Sequence, residues 1–187
     1  RRCTAGSSPR SSLVKTALMF FSTAETVRCS AAAIAGLVRP AAINSRSSPG
    51  HWEADLILFA KYGQAVLTLH ERSSRILLAQ RPPNKTADLI AGQLHAMLEL
   101  FPEPLRQTVT FDNGTEFARH FRLHDLALKT YFCDAHSPWQ KGGIENAIGR
   151  MRRFLPRKTD LATLSDHHFD ALLRTHNNTP RKCLAFK

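Results

Sequence analysis

No two of the four cysteines stand at the spacing of a metal site. Cys3, Cys29, Cys133 and Cys183 are scattered, and no Cys-x-x-Cys occurs. That argues against a structural zinc site or a disulfide framework, and makes reduced thiols the default. No apolar run is long enough to span a bilayer. Ala17-Leu18-Met19-Phe20-Phe21 follows basic residues and precedes Ala31-Ala32-Ala33, the outline of a signal peptide, but its apolar core is short. There is no internal repeat. The nine histidines, His167-His168 and His176 among them, form no metal-cage pattern and are expected at the surface or as helix caps. Acidic residues are scarce as well. Asp and Glu number 15 against 26 Lys and Arg, for a net charge of +11 and a pI near 10.2. Such a balance favours a polyanionic partner, a nucleic acid or an anionic membrane.

What is present suffices for one domain. The 187 residues are 43% hydrophobic, enough to bury a core. The hydrophobic content is unevenly placed. Residues 1–49 are dominated by Ser, Arg and Ala, with Ser7-Ser8-Pro9-Arg10-Ser11-Ser12 and Ser45-Arg46-Ser47-Ser48-Pro49-Gly50 as polar stretches. This segment is expected to be flexible, with a short helix around Leu13 to Phe21. Residues 50–187 carry the folding pattern.

Within that second segment Asp55–Ala60, Ala65–His70 and Ile76–Ala79 read as three strands joined by the polar turns Lys61-Tyr62-Gly63 and Arg72-Ser73-Ser74, an antiparallel meander. Pro82-Pro83 stops the sheet. Thr86 can cap a helix in which Leu89, Ile90, Leu94, Met97, Leu98 and Phe101 recur at three- and four-residue steps, and Pro102 and Pro104 end it. Thr108–Phe111 is a fourth strand, closed by the turn residues Asp112-Asn113-Gly114. Glu116–Leu128 reads as helical and Lys129–Cys133 as a fifth strand. A mobile loop, Ser137 to Gly143, leads into helices over Ile144–Leu155 and Asp166–Asn177. The order predicts an α/β fold, a five-stranded mixed sheet with helices on its faces.

Three acids stand out in this basic chain. Asp55 opens a buried apolar run, which costs energy unless the charge is compensated. Asp112 ends the fourth strand. If those strands are neighbours, both carboxylates meet at one edge of the sheet. Glu145 lies on the helix whose stripe Ile144, Ile148, Met151 and Leu155 faces the sheet, about 100° from Ile144 and so at the stripe's margin. Paired carboxylates of this kind suit hard divalent cations, and two such cations can clamp a phosphate during in-line displacement. Periodicity alone favours a surface Glu145 paired with Arg152 or Arg153, and Asp112 as simple turn chemistry. Glu53, His51 and Glu116 are nearby as outer groups or solvated side chains. Lys141, Arg150, Arg152, Arg153, Arg157 and Lys158 crowd around Glu145 and are the candidate DNA-binding residues, a phosphate track.

The blocks carrying these acids resemble a known family. Gly50-His51-Trp52-Glu53-Ala54-Asp55-Leu56-Ile57, Leu69-His70-Glu71-Arg72-Ser73-Ser74-Arg75, Pro83-Asn84-Lys85-Thr86-Ala87 and Thr110-Phe111-Asp112-Asn113-Gly114-Thr115-Glu116-Phe117 are similar to blocks of bacterial transposases of the insertion sequence thirty family. So are His136-Ser137-Pro138-Trp139-Gln140-Lys141-Gly142-Gly143-Ile144-Glu145-Asn146, Leu155-Pro156-Arg157-Lys158-Thr159-Asp160-Leu161 and Asn177-Asn178-Thr179-Pro180-Arg181-Lys182. The likeness runs from about residue 36 to residue 187, with rare blocks in the right order.

The resemblance implies an RNase H-like fold shared with retroviral integrases, and a catalytic and metal-holding triad of Asp55, Asp112 and Glu145. It implies two Mg²⁺ (or Mn²⁺) ions per site, cutting at a transposon end, and joining of that end to target DNA without a covalent protein intermediate. DNA, as transposon ends and target, is then the partner, a membrane is not, and a homo-oligomer stays open. The bacterial cytoplasm, at the nucleoid, is the expected location. Family members carry a helix-turn-helix region that residues 1 to about 35 do not match, and a further short helical segment is expected after Phe186-Lys187, so the chain reads as N-terminally truncated or fragmentary. The competing readings are an inactive remnant that only binds DNA and a generic RNase H-like nuclease.

Overall fold

A computed structural model of the chain describes residues 48–134 and 137–185. The N-terminal segment with the helix expected around Leu13–Phe21, His136 of the third acidic block, and Phe186-Lys187 lie outside the described residues. The remainder forms an α/β domain built on five strands: β1 (His51–Phe59), β2 (Gln64–Glu71), β3 (Leu77–Gln80), β4 (Thr108–Phe111) and β5 (Lys129–Phe132). Their order across the sheet is β3-β2-β1-β4-β5. β1, β2 and β3 are mutually antiparallel, whereas β4 runs parallel to β1 and β5 parallel to β4. A meander extended by two parallel strands and flanked by helices is the RNase H-like architecture expected from the sequence.

The turns follow their residues. Gly63 takes the left-handed conformation, at φ 62°, that the β1–β2 connection requires. In the β2–β3 turn the Glu71 carboxylate accepts hydrogen bonds from the Ser73 amide and the Ser74 hydroxyl. β1 begins at His51, four residues before the expected start, so Asp55 sits inside the strand rather than at its opening. The early start is possible because both faces are covered. Trp52 and Ala54, wholly buried, look one way. The Trp52 ring lies 5.1 Å from Phe101, and its indole N–H donates to the Leu105 carbonyl. Glu53, Asp55 and Phe59 look the other way. Gly50 enters β1 at φ 98°, and a Cβ there would meet the Pro104 carbonyl at 2.7 Å.

α1 (Ala87–Leu98) buries Ile90, Ala91, Leu94, Met97 and Leu98. Thr86 occupies its N-cap, but the Thr86 side chain makes no capping bond. Asn84 Oδ1 instead accepts from the Thr86 amide and hydroxyl. The α-helix expected over Glu116–Leu128 is replaced by two 3₁₀ segments, Thr115–Phe117 and His120–Leu126. The spacing explains why: Phe117, Leu123 and Leu126 are buried and His120 packs on Phe132, an every-third-residue row that suits three residues per turn.

α2 (Gly142–Met151) packs on β1 and β2, and α3 (Asp166–Asn177) on β3. α2 stops short of the expected Leu155, although Leu155 is still buried. Arg152 is the reason the chain stays docked there. Its Nη2 donates to the Leu58 carbonyl at 2.8 Å, and its guanidinium lies over the Phe59 ring. Ser165 caps α3 by accepting from the His168 amide. Asn177, at the far end of α3, uses its amide group to bond both the N–H and the C=O of Leu77 at 2.9 Å, covering the open edge of β3 as a strand would. Among the described residues no helix is long and apolar enough to cross a membrane.

Candidate active site

Register brings the two aspartates together. β1 pairs β4 with an offset of 57 residues, His51 opposite Thr108 through Glu53 opposite Thr110. Asp55 and Asp112 have that same separation, so continuing the ladder sets them side by side where β4 ends. The side chains confirm it. Lys141 Nζ lies 3.2 Å from Asp55 Oδ2 and 3.3 Å from Asp112 Oδ2. In each aspartate the other oxygen is held by backbone: Asp55 Oδ1 accepts from the Leu56 amide at 2.8 Å, and Asp112 Oδ1 from the Gly114 amide at 3.2 Å. Two Oδ2 atoms are thereby aimed at one point, and a buried ammonium occupies it.

The electrostatics match this picture. Burial pushes the Asp55 carboxyl above the usual carboxylate range, and the neighbouring Asp112 adds to the rise, while Lys141 and the Leu56 amide oppose it. Such a pair calls for positive charge between its members. Its donors are hard carboxylate oxygens, the kind that Mg²⁺ or Mn²⁺ takes, and Lys141 stands in the place of such a cation. The chemistry of the donor set therefore fits the expected ions. Cys133 lies alongside, its amide donating to the Phe111 carbonyl, and burial raises its thiol.

Glu145 is placed differently. It lies in the first turn of α2, one turn beyond Lys141, and is exposed. It forms no ion pair with any described residue, so the surface pairing with Arg152 or Arg153 is not realised. Among the described residues no three His, Cys, Asp or Glu side chains gather closely enough to cage a metal ion. Lys141, expected in a mobile loop, closes a 3₁₀ turn (Pro138–Lys141) and is buried. Gln140 anchors that turn by bonding the amide and the carboxylate of Asp134 at 2.8 Å each. Trp139 projects from it, 69% exposed. Arg153, Arg157 and Lys158 are exposed and Arg150 is half-buried, while Arg152 spends its guanidinium on the end of β1.

Glu53, for which the residue pattern left both an outer group and a solvated side chain open, organises the whole site. Glu53 is 1% exposed. Its Oε2 accepts from the Ile144 amide at 2.6 Å and its Oε1 from Arg72 Nε at 3.0 Å, with His70 Nδ1 3.7 Å away. Burial would raise its pKa, but His70, Arg72 and the Ile144 amide together hold it below the ordinary value. Glu53 thus pins the start of α2, and with it Lys141 and Glu145, to β1. Gly143 is the residue that permits the contact, since a Cβ there would stand 2.8 Å from Glu53 Oε2. The histidines also depart from expectation. His51, His70 and His176 are buried, and His51 Nδ1 is 2.8 Å from the Thr108 hydroxyl. The usable signal was the alternation of β1, which puts Glu53 on the same face as Asp55.

No family model matches the chain. Curated relatives do. Over 148 residues, 79% of this chain, it is 45% identical to the transposase for insertion sequence element IS1086 of Cupriavidus metallidurans, of which it covers 44%. It is 39% identical over 146 residues to the transposase for insertion sequence element IS30A of Escherichia coli, with 78% of this chain and 38% of that one covered. It is 32% identical over 146 residues, 77% of its length, to a probable transposase for insertion-like sequence element IS1161 of Streptococcus salivarius, covering 41% of it. The chain spans less than half the length of these relatives. Over more than three quarters of its length, the chain is thus a homologue of transposases of the IS30 (insertion sequence thirty) family.

Proposed function

We propose that the chain is the catalytic core of a transposase, performing metal-dependent cleavage of DNA strands and their transfer to target DNA. The observation that carries the reading is the Asp55–Asp112 pair, two carboxylates from adjacent parallel strands aimed at a single cation position. The names of the relatives support the reaction class. Asp55, Asp112 and Glu145 are the acids that would hold Mg²⁺ or Mn²⁺. Such ions supply activation of a water or a 3′-hydroxyl and stabilisation of the leaving oxygen.

The chain's own residues have separate tasks. The Leu56 and Gly114 amides orient the aspartates, so that no rotamer search precedes binding. Lys141 neutralises the pair, and were a divalent cation held there its ammonium would be free for a DNA phosphate. Arg153, Arg157 and Lys158 would continue the contact with the backbone, positioning DNA without reading it. Trp139, exposed beside the site, offers a face for stacking on an unpaired base.

The deciding experiment incubates the chain with Mg²⁺ and duplexes carrying insertion-element ends, with gel-shift titrations in parallel. Strand cleavage is expected, and Asp112→Asn should abolish it while leaving affinity unchanged or slightly tighter, because the swap keeps shape and removes a charge repelling phosphate. Cleavage that persists in the variant would remove Asp112 from the triad. Binding without cleavage by the unaltered chain would leave a DNA-binding remnant.

A further inference from the structure

A second site of opposite chemistry lies across α2 from the aspartates. It is a cavity of about 260 Å³ lined by His70, Arg75, Asn146, Arg150, His176 and Arg181, with the α2 glycines at its wall. Helix geometry separates the two sites. With Ile144 facing the sheet, Lys141 and Glu145 fall on one flank of α2, and Gly143, Asn146 and Arg150 on the other. The cavity has no carboxylate in its lining. Arg181 is buried, and its guanidinium is locked by donating to the Arg75 and His176 carbonyls. Arg150 Nε donates to Asn146 Oδ1 at 3.2 Å, and both residues line the cavity.

His176 supplies an independent pointer. It is 3% exposed, it lines the cavity, and its Nε2 has no hydrogen-bond partner among the described residues. Buried polar atoms are almost always paired, so a ring nitrogen left open calls for a polar ligand, and the arginines around the cavity call for one that accepts hydrogen bonds. The groups facing it are His70 from β2, Arg75 from the β2–β3 turn, Arg150 from α2 and Arg181 after α3. Burial first, then Arg181, Arg150 and His70, lowers its pKa to about 4. An anion between these groups would oppose the part of that lowering that comes from Arg181, Arg150 and His70.

We propose that this cavity binds a phosphate group of a nucleic-acid backbone, as a site separate from the aspartates. This rests on the reading of the chain as a DNA-acting protein and adds to it a built phosphate position. The volume is below the roughly 300 Å³ at which pockets begin to take drug-sized molecules, so an ionic group fits better than an organic ligand. Guanidinium forks match phosphate oxygens in bidentate fashion, and the chain's charge of +11 favours a polyanion over an isolated anion. A strand crossing α2 would meet the paired aspartates on one flank and this cavity on the other.

The test uses the full chain without divalent metal, beside the variant Arg75→Gln/Arg150→Gln, which leaves the aspartates and Lys141 untouched. Titration with inorganic phosphate, followed through the His176 ring by NMR, should move its protonation midpoint upward in the unaltered chain and not in the variant. Binding of a duplex of arbitrary sequence, measured by fluorescence anisotropy at several salt concentrations, should weaken roughly ten- to hundredfold in the variant. Its salt slope should fall by about two units, one for each charge removed. A His176 midpoint indifferent to phosphate, or an unchanged slope in the variant, would overturn the proposal while leaving the DNA reading standing. A chain that answers to phosphate or to an acidic peptide but binds no duplex would overturn the nucleic-acid source and the DNA reading together.

Discussion

Glu53 and Asp55 stand two positions apart on one face of one strand, and the fold treats them in opposite ways. Glu53 is wholly enclosed and supplied with Arg72, His70 and the Ile144 amide, which hold it ionised. Asp55 is partly open and shares a single ammonium with a second carboxylate, and its pKa rises. The first arrangement is complete and spends its charge on holding α2. The second keeps two oxygens aimed at a position for which any cation can compete. The acid that holds the fold and the acid proposed to hold a cation are thus distinguished by how fully their partners are assigned, more than by burial alone.

The contrast can be broken most forcefully at Glu53. Glu53→Ala leaves Arg72 buried without its carboxylate and the Ile144 amide without its acceptor, and should destabilise the fold by about 3–5 kcal/mol, read from urea unfolding. Gly143→Ala attacks the same contact from the helix side. Its Cβ would press on Glu53 Oε2, at a cost of about 1–3 kcal/mol in the same assay. On the functional side, Mg²⁺ at about ten times its dissociation constant should stabilise the unaltered chain by roughly 1.4 kcal/mol and Asp112→Asn much less, seen as a shift in thermal midpoint. Equal shifts in both proteins would separate Asp112 from the cation position.

The smallest effect carries the sharpest sign. Asp55 has a raised folded pKa, so its ionised form is disfavoured by folding, and the penalty exists above that pKa and disappears as pH falls below its ordinary 3.8. Asp55→Asn should therefore be slightly stabilising near neutral pH, by under about 1 kcal/mol, with the gain vanishing toward acid. Glu53 has a lowered pKa, so its contribution is present above its ordinary 4.5 and is lost as pH falls through the folded value. The deficit of Glu53→Gln should shrink over that lower window. Unfolding curves collected from pH 7 to acid would show the two variants approaching the unaltered chain from opposite sides. Parallel curves would mean that the two acids are not different in kind.

Much of this was legible before any coordinates. Thr108–Phe111 and Asp166–Asn177 stand where the residue pattern puts them, because a four-residue apolar run closed by turn residues and a Ser-capped amphipathic stretch are each decided locally. The spacing of Asp55 and Asp112 already equalled the register of the strands that carry them. The stretch Glu116–Leu128 reads as an α-helix yet forms 3₁₀ segments, because its polar residues conceal an every-third apolar row, which matters only once β5 and α1 are there to receive it.

Which strands alternate and where the chain turns follow from the residues alone, since these depend on side-chain periodicity and turn chemistry within a few positions, whereas the adjacency of the strands carrying Asp55 and Asp112 emerges only in the folded sheet. The tertiary structure decided what each charge is for. Lys141 and Glu145 are one helical turn apart, yet the first is buried between carboxylates and the second faces solvent. His176 and Arg150 come from different helices and face one cavity. Glu53 meets Ile144 across 91 residues of chain. Partnership of this kind depends on distance through space and on the cost of leaving a buried charge unpaired, and neither is encoded in the neighbours of a residue along the chain.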